Sequence, residues 1–214
     1  MKVLVIGANG KIGRQFVRML AEDGRHTPKA LIRKKEQKEK FDKLGVESVV
    51  ASLEGSVEDL ASAMEGMDAV VFTAGSGGHT GPDKTLLIDL DGAAKAIEAA
   101  GRLNTGRFIM VSAIFADRRE HWTEEMAPYY VAKHHADNIL RASGLNYTIV
   151  RPGGLTDDEG TGKVSAAYHL DRGVIPREDV ARVLLHSLEN EKTYNKSFDL
   201  LTGNDSIENA LAKL

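Results

Sequence analysis

Apolar residues fall along this chain in short unbroken runs separated by stretches with helical spacing. Residues 2–6 (KVLVI) form one such run, ending at Gly7, which is the pattern of a strand buried on both faces. Residues 12–22 then place Phe16, Val17, Leu20 and Ala21 at helical spacing. A second strand fits 28–32, and a short charged helix fits Glu36 to Leu44. The alternation continues with a strand at 46–51, a helix near 57–65 carrying Leu60, Ala63 and Met64 on one face, and a strand at 69–74. Residues 84–100 predict a long alanine-rich helix whose buried side repeats Leu87, Leu90, Ala94 and Ile97, and 107–112 a fifth strand. A helix at 129–142 precedes a strand at 146–150 that Arg151-Pro152-Gly153 stops. The stretch 153–173, with five glycines, predicts a loop or lid. A helix at 177–189, capped from the preceding turn, a strand at 196–202 and a short helix at 204–213 close the pattern.

Strands separated by helices need crossover connections, and these favour parallel pairing. The expected fold is therefore α/β: a Rossmann-type doubly wound, mainly parallel sheet with helices on both faces, in three α/β/α layers. No linker or compositional break interrupts residues 1–214, so they read as one domain. Residues 151–214 supply its substrate-side wall and its last strand and helix. Ligands of such sheets bind beyond the carboxyl ends of the strands, where strand order reverses. Segments 7–13, 33–35, 74–85 and 112–133 all fall at those ends.

Composition narrows the classes. The 214 residues carry 28 Lys plus Arg and 31 Asp plus Glu, for a formal charge of -3, and suit one sizeable core. Without cysteine there is no disulfide framework, thiolate nucleophile or thiolate metal site. No run approaches the roughly 20 apolar residues of a membrane span, and the VLVI run lacks a signal-peptide cleavage site. Cytoplasmic residence without a membrane partner is expected. Residues 1–45 hold 12 basic and 5 acidic side chains, enough for one phosphate-bearing small molecule. The acidic remainder argues against nucleic acid.

The first strand leads directly into Gly7-Ala8-Asn9-Gly10-Lys11-Ile12-Gly13. In this GxxGxxG spacing Gly7 permits the tight turn, Gly10 lets a pyrophosphate approach the backbone, and Gly13 allows close helix–strand packing. Open N–H groups at the helix start then meet the negative charge, so Gly7, Asn9, Gly10, Lys11, Ile12 and Gly13 form the expected cofactor cradle. No GxxxxGK[ST] pattern points to a nucleoside triphosphate. At the end of strand two, where an acid would accept a free ribose hydroxyl, the chain has Arg33-Lys34-Lys35. A guanidinium at Arg33 suits a ribose 2′-phosphate, so NADP is preferred to NAD.

Small residues at 73–78, Ala74 and Gly75 among them, permit close approach of cofactor ribose or nicotinamide. His79 is open between polar wall and exposed loop, and Asp83 between helix cap and ligand. Tyr129 and Lys133 are four apart on one helix face. The ammonium there would favour phenolate, bring the phenol into a useful range and bind cofactor ribose. Ser112 could hydrogen-bond a substrate oxygen. Tyr130 competes with Tyr129, and Trp122 either lines or anchors the substrate loop. His121, His134, His135, His169 and His186 form no metal-binding spacing.

These motifs together resemble the atypical short-chain dehydrogenase/reductase family, in particular its small NAD(P)-binding members of the NAD-dependent epimerase/dehydratase or NmrA-like type. The resemblance runs through GANGKIG at 7–13, LIR at 31–33, DAVVFTAGSG at 68–77, RFIMVS at 107–112, YYVAK at 129–133 and YTIVRPGGL at 147–155. It implies that Tyr129 and Lys133 match the catalytic Tyr and Lys, and that backbone around Pro152, Gly153 and Leu155 lines the nicotinamide. Two positions depart from the pattern. Ala113 occupies the place of the usual last catalytic Ser, leaving Ser112 as substitute. Ser52-Leu53 stands where relatives often have Gly-Asp beside adenine, so Leu53 would cover adenine with an apolar side chain.

The leading expectation is an NADP(H)-dependent oxidoreductase acting on a small carbonyl or alcohol, with Tyr129, Lys133 and Ser112 as catalytic residues. A non-catalytic NADP(H) sensor and a sugar epimerase/dehydratase are the alternatives. Substrate identity and the choice between monomer and homodimer stay open.

Overall fold

The structure, a computed structural model, describes every residue except His79, so the open role of that residue lies outside the described residues. Nine strands form one sheet: β1 (Lys2–Ile6), β2 (Thr27–Ile32), β3 (Glu47–Val50), β4 (Ala69–Phe72), β5 (Arg107–Val111), β6 (Tyr147–Pro152), β8 (Lys163–Ala167), β10 (Lys196–Thr202) and β11 (Asp205–Ser206). β7 (Gly154–Thr156) and β9 (Val174–Pro176) pair in parallel as a separate ribbon. The order is β11-β8-β10-β6-β5-β4-β1-β2-β3, parallel from β10 to β3, with β8 and β11 antiparallel. From β1 the chain winds one way through β2 and β3, and the other way through β4, β5 and β6. The order thus reverses between β1 and β4, and the expected doubly wound α/β fold is observed.

Each strand of the centre is apolar on both faces because both faces are covered. Val3 and Val5 point into a cluster with Phe16, Val17 and Leu20 of α1 (Lys11–Asp23), Phe41 of α2 (Lys38–Asp42), and Val180 and Leu184 of α7 (Arg177–Ser187). Leu4 and Ile6 point the other way, onto Leu60 and Met64 of α3 (Val57–Met64), Ile97 of α5 (Ala93–Arg102) and Leu140 of α6 (Ala127–Ala142). α8 (Ile207–Ala212) closes the first layer. Burying each such side chain contributes about 1.5–3 kcal/mol. No helix among the described residues is long and apolar enough to cross a membrane.

Several expectations are corrected. The helix predicted over 84–100 is composite: a first turn α4 (Pro82–Lys84), a π-helical stretch Thr85–Gly92, and then α5. In the wider π turn Thr85, Asp89 and Gly92 face inward, while Leu87 is exposed. Of the predicted face, Ile97 is buried and Leu90 packs against the core, so Leu87 is the position that fails. Asp83 does not cap this helix; it lies in the first turn, after Gly81 at the cap.

The strand at 146–150 does not stop at Arg151. β6 continues through Pro152, opposite Leu200 of β10. Arg151 is fully buried, its charge met by Asp137 at 3.0 Å and Asp117 at 2.5 Å, so it belongs to the sheet instead of ending it. The loop expected at 153–173 contains β7 and β8. Its middle is tied down by α7, whose first-turn acids accept loop amides: Glu178 from Gly160 at 2.8 Å, and Asp179 from Thr161 and Gly162 at 2.8 and 2.9 Å. No side chain of the preceding turn caps α7.

Candidate active site

The phosphate turn follows from β1 running into α1 with no room for side chains. Gly7 has φ +84°, and a Cβ on it would lie 2.5 Å from the Ala74 nitrogen. A Cβ on Gly13 would lie 2.3 Å from the Gly7 carbonyl oxygen. Gly7 thus brings the turn against the end of β4, and Gly13 packs the helix onto the turn. Gly10 caps α1 in an extended conformation, its N–H donating to the Gly7 carbonyl at 2.9 Å. A Cβ on Gly10 would touch only that carbonyl, at 3.1 Å, and the residue is exposed. The cap makes no side-chain bond, and the first turn carries no acid. This cradle suits an anion at the positive end of a helix. Ile12 is buried beneath it, while Lys11 reaches outward to Asp157 at 2.5 Å. Asp157 also accepts from Arg177 at 2.7 Å, and the two cations hold its carboxyl below the usual range.

At the end of β2 the backbone amides of Arg33 and Lys34 both donate to Gln37 Oε1, at 2.9 and 3.2 Å. Gln37 thereby fixes the turn that presents Arg33. The Arg33 side chain is exposed and makes no ion pair among the described residues. Lys40 Nζ comes within 3.4 Å of Asn9 Oδ1, so a second cation of α2 leans over the phosphate turn. Leu53 is buried beyond β3, where a Cβ on Gly92 would meet its Cβ at 2.9 Å.

At the other end of the cleft, Thr73 returns its N–H and hydroxyl to the Ile6 carbonyl, at 2.8 and 3.0 Å, and so aligns the ends of β4 and β1. Ala74 and Gly75 follow. Lys133 is almost wholly buried, donates to the Val111 carbonyl at 2.9 Å and lies 3.9 Å from Asp89. Ser112, next along from β5, is buried and its hydroxyl has no hydrogen-bond partner among the described residues. A buried hydroxyl of that kind is costly unless something accepts or donates to it, and at this position it suits a cofactor or substrate oxygen. Ala113 beside it is buried and apolar.

The two adjacent tyrosines separate. The phenol of Tyr129 is pushed above its ordinary range by burial, by the charge of Asp89 and by its neighbours Tyr130 and Asp137. The expected lowering by Lys133 is not found: burial is the largest influence on the phenol, and the ammonium lies 3.9 Å from Asp89. Tyr130 instead stacks on Trp122, with ring centres 5.9 Å apart. Trp122 acts as an anchor: its Nε1–H donates to the Phe115 carbonyl at 2.8 Å. Phe115 has φ +68°, rare for a side-chain-bearing residue. Its ring packs against His121 at 4.6 Å and beneath the Arg118 guanidinium at 4.7 Å. Arg118 pairs with buried Asp199, whose carboxyl is pushed up by burial. On the far wall Gly153 is pressed against β10 and Gly173: a Cβ there would lie 2.3 Å from Leu201 and 2.4 Å from the Gly173 carbonyl. Pro152 is buried, and Leu155 is half-buried.

Sequence reasoning missed Asp89, Gln37, Lys40 and Phe115. Gln37 and Lys40 lie within the charged run after β2 and carry no motif. Phe115 gives no signal, because its strain is backbone geometry. Asp89 sits off the apolar face that an α-helical period selects.

Comparison with known proteins agrees with this geometry. The NAD(P)H-binding family profile matches residues 7–191. The chain is 56% identical, over the whole length of both, to the Bacillus subtilis protein named "uncharacterized sugar epimerase YhfK". A Bacillus halodurans structure, provisionally assigned as an NAD-dependent epimerase/dehydratase, superposes with TM-score 0.94 at 42% identity, covering 100% of both chains. The oxidoreductase ylbE of Lactococcus lactis superposes with TM-score 0.91 at 30% identity, covering 100% of this chain and 96% of that one. Phosphate turn, strand reversal and whole-length likeness converge: this chain belongs to the NAD(P)H-binding family, among epimerase- and reductase-like Rossmann proteins.

Proposed function

We propose that the chain is an NADP(H)-dependent oxidoreductase acting on a small carbonyl or alcohol substrate. The observation that supports this reading is the buried Ser112 hydroxyl without a partner among the described residues, next to the Val111 carbonyl that holds Lys133, with Tyr129 one helical turn before that lysine. Gly7, Asn9, Gly10, Lys11, Ile12 and Gly13 would hold the pyrophosphate, and Arg33 the ribose 2′-phosphate. Leu53 would cover the adenine. Ala74, Gly75, Pro152, Gly153 and Leu155 would leave room for the nicotinamide half. The cradle that a Cβ would fill at Gly7 and Gly13, and the free Ser112 hydroxyl, fit such a group. When bound it supplies the hydride. The chain's own residues do the rest: the Ser112 hydroxyl donates to the substrate oxygen, Tyr129 exchanges a proton with that oxygen, and Lys133 holds ribose.

Preference for the phosphorylated cofactor is supported by Arg33 standing where an acid would otherwise meet a free ribose hydroxyl. A second reading, a non-catalytic NADP(H) sensor, is favoured by Ala113. Sugar epimerisation would use the same groups through transient oxidation and is favoured by the name of the Bacillus subtilis relative.

Turnover separates them. With NADPH and a panel of aldehydes and ketones, the oxidoreductase reading predicts consumption of NADPH. Tyr129→Phe should lower kcat by about 100-fold or more and leave cofactor affinity within about twofold. Tight binding with no consumption across the panel would instead make it a sensor. Interconversion of a sugar without net change in cofactor would make it an epimerase.

A further inference from the structure

Asp89 is a buried carboxylate, 1% exposed, that hydride transfer alone leaves without a task. The π-helical turn of Thr85–Gly92 carries it inward. There Oδ2 accepts the Ser76 N–H at 2.9 Å and Oδ1 stands 3.9 Å from Lys133 Nζ. A Cβ on Gly75 would lie 3.0 Å from the same Oδ1, so the carboxylate fills the space beneath the end of β4. Lys133 is held in turn by the Val111 carbonyl. One carboxylate thereby ties the β4 loop to α6, beside the end of β5.

An unpaired ammonium one helical turn from Tyr129 would favour its phenolate. Here burial is the largest influence holding that phenol protonated, and the cation one helical turn away, Lys133, already has an anion. From the π-helical stretch Asp89 faces Tyr129 and pairs with Lys133. From its own helix come Tyr130, Lys133 and Asp137, and Asp137 is paired with Arg151 of β6.

We propose that Asp89 is a positioning residue that fixes Lys133 and offsets its charge, keeping Tyr129 protonated and the site set for carbonyl reduction. The substrate carbon receives the hydride. The Tyr129 O–H bond breaks as an O–H bond forms on the substrate oxygen, and the resulting tyrosinate recovers a proton from water. Alcohol oxidation would start from tyrosinate, the form Asp89 disfavours. This inference rests on the oxidoreductase reading for its catalytic meaning.

The test is a tyrosinate absorbance titration of the cofactor-free protein, with Tyr129→Phe as the reference that assigns one of the five tyrosines. In the wild-type chain Tyr129 should stay silent up to about pH 11, beyond the ordinary phenol value of about 10. Asp89→Asn keeps the side-chain shape and an acceptor for Ser76. With burial unchanged, it should bring in one further tyrosinate at lower pH than in the wild type, absent from the Asp89→Asn/Tyr129→Phe double variant. Identical titration of those two variants would overturn the inference. So would a wild-type Tyr129 that ionises at or below about pH 10, a result that needs the Tyr129→Phe reference but no Asp89 variant. Turnover with an unchanged titration would sink this inference alone. The predicted titration in a chain that consumes no NADPH would sink the oxidoreductase reading alone.

Discussion

Lys11 Nζ, at the first residue of α1, lies 2.5 Å from the carboxylate of Asp157, 146 residues further along the chain. Asp157 joins it to Arg177 at the start of α7, so the glycine turn is linked to α7 by a single acid. Lys11 and Asp157 are more than half exposed, and such pairs contribute little to stability.

Asp157→Asn should therefore leave the melting temperature within about 2 °C of wild type. Removing a negative charge beside the phosphate cradle, and freeing Lys11, should tighten NADPH binding by about two- to fivefold at low salt. That gain should shrink as ionic strength rises. Fluorescence titration at two salt concentrations, with a melting curve of each protein, checks both parts.

Three glycines of the first 24 residues should respond differently to alanine. Gly24 ends α1 at φ +70° with nothing within 4 Å of a Cβ, so Gly24→Ala should cost only the left-handed conformation, about 1–2 kcal/mol. Gly7→Ala adds a backbone clash at 2.5 Å and should cost about 3 kcal/mol or more. Gly13→Ala has a favourable helical φ but meets the Gly7 carbonyl at 2.3 Å, and should cost about 1–3 kcal/mol. Cofactor binding should be lost in the Gly7 and Gly13 variants and kept in the Gly24 variant. Urea unfolding and NADPH titration of the three proteins measure this.

Arg151 neutralises two carboxylates within the sheet. Replacing it with methionine leaves Asp137 without its cation and Asp117 with only Arg118 at 3.8 Å and His169 at 3.3 Å, and should cost about 3–5 kcal/mol near neutral pH. The sign of the pH dependence follows from Asp117. Burial works against its charge, but Arg151 outweighs burial and holds the carboxyl below its ordinary range. Its stabilisation is complete above the unfolded value of about 4 and fades as pH falls below that. In Arg151→Met the stranded carboxyls gain from protonation. The difference between variant and wild type, followed by urea unfolding, should be largest near pH 7 and shrink towards about pH 4.

What could be read from the sequence was local. The turn at 7–13 needs only neighbouring residues to declare a strand, three glycines and an amphipathic helix. Arg33 is legible for the same reason, since its place depends on where β2 ends. The period-two burial of Val3 and Val5 against Leu4 and Ile6 follows directly from a run with no polar position. Legibility fails where geometry depends on distant partners. Arg151 resembles a strand stop until Asp117 and Asp137 are seen to bury it. The ribbon of β7 and β9 joins segments about twenty residues apart across a glycine-rich stretch. Asp89 is hidden because the inward face of its stretch carries Thr85, Asp89 and Gly92, which a search for apolar periodicity passes over. The Tyr129 environment fails for a related reason: a four-residue spacing brings Lys133 close but does not reveal the carboxylate that neutralises it.

Cofactor selection by Arg33 is the centre of the account, and calorimetry of the wild-type chain and Arg33→Ala with NADPH and NADH tests it directly. A guanidinium on the ribose phosphate predicts NADPH binding at least about tenfold tighter than NADH in the wild type, with the difference removed in Arg33→Ala through weaker NADPH binding alone. Equal affinity for the two cofactors, a preference for NADH, or no heat from either would contradict it.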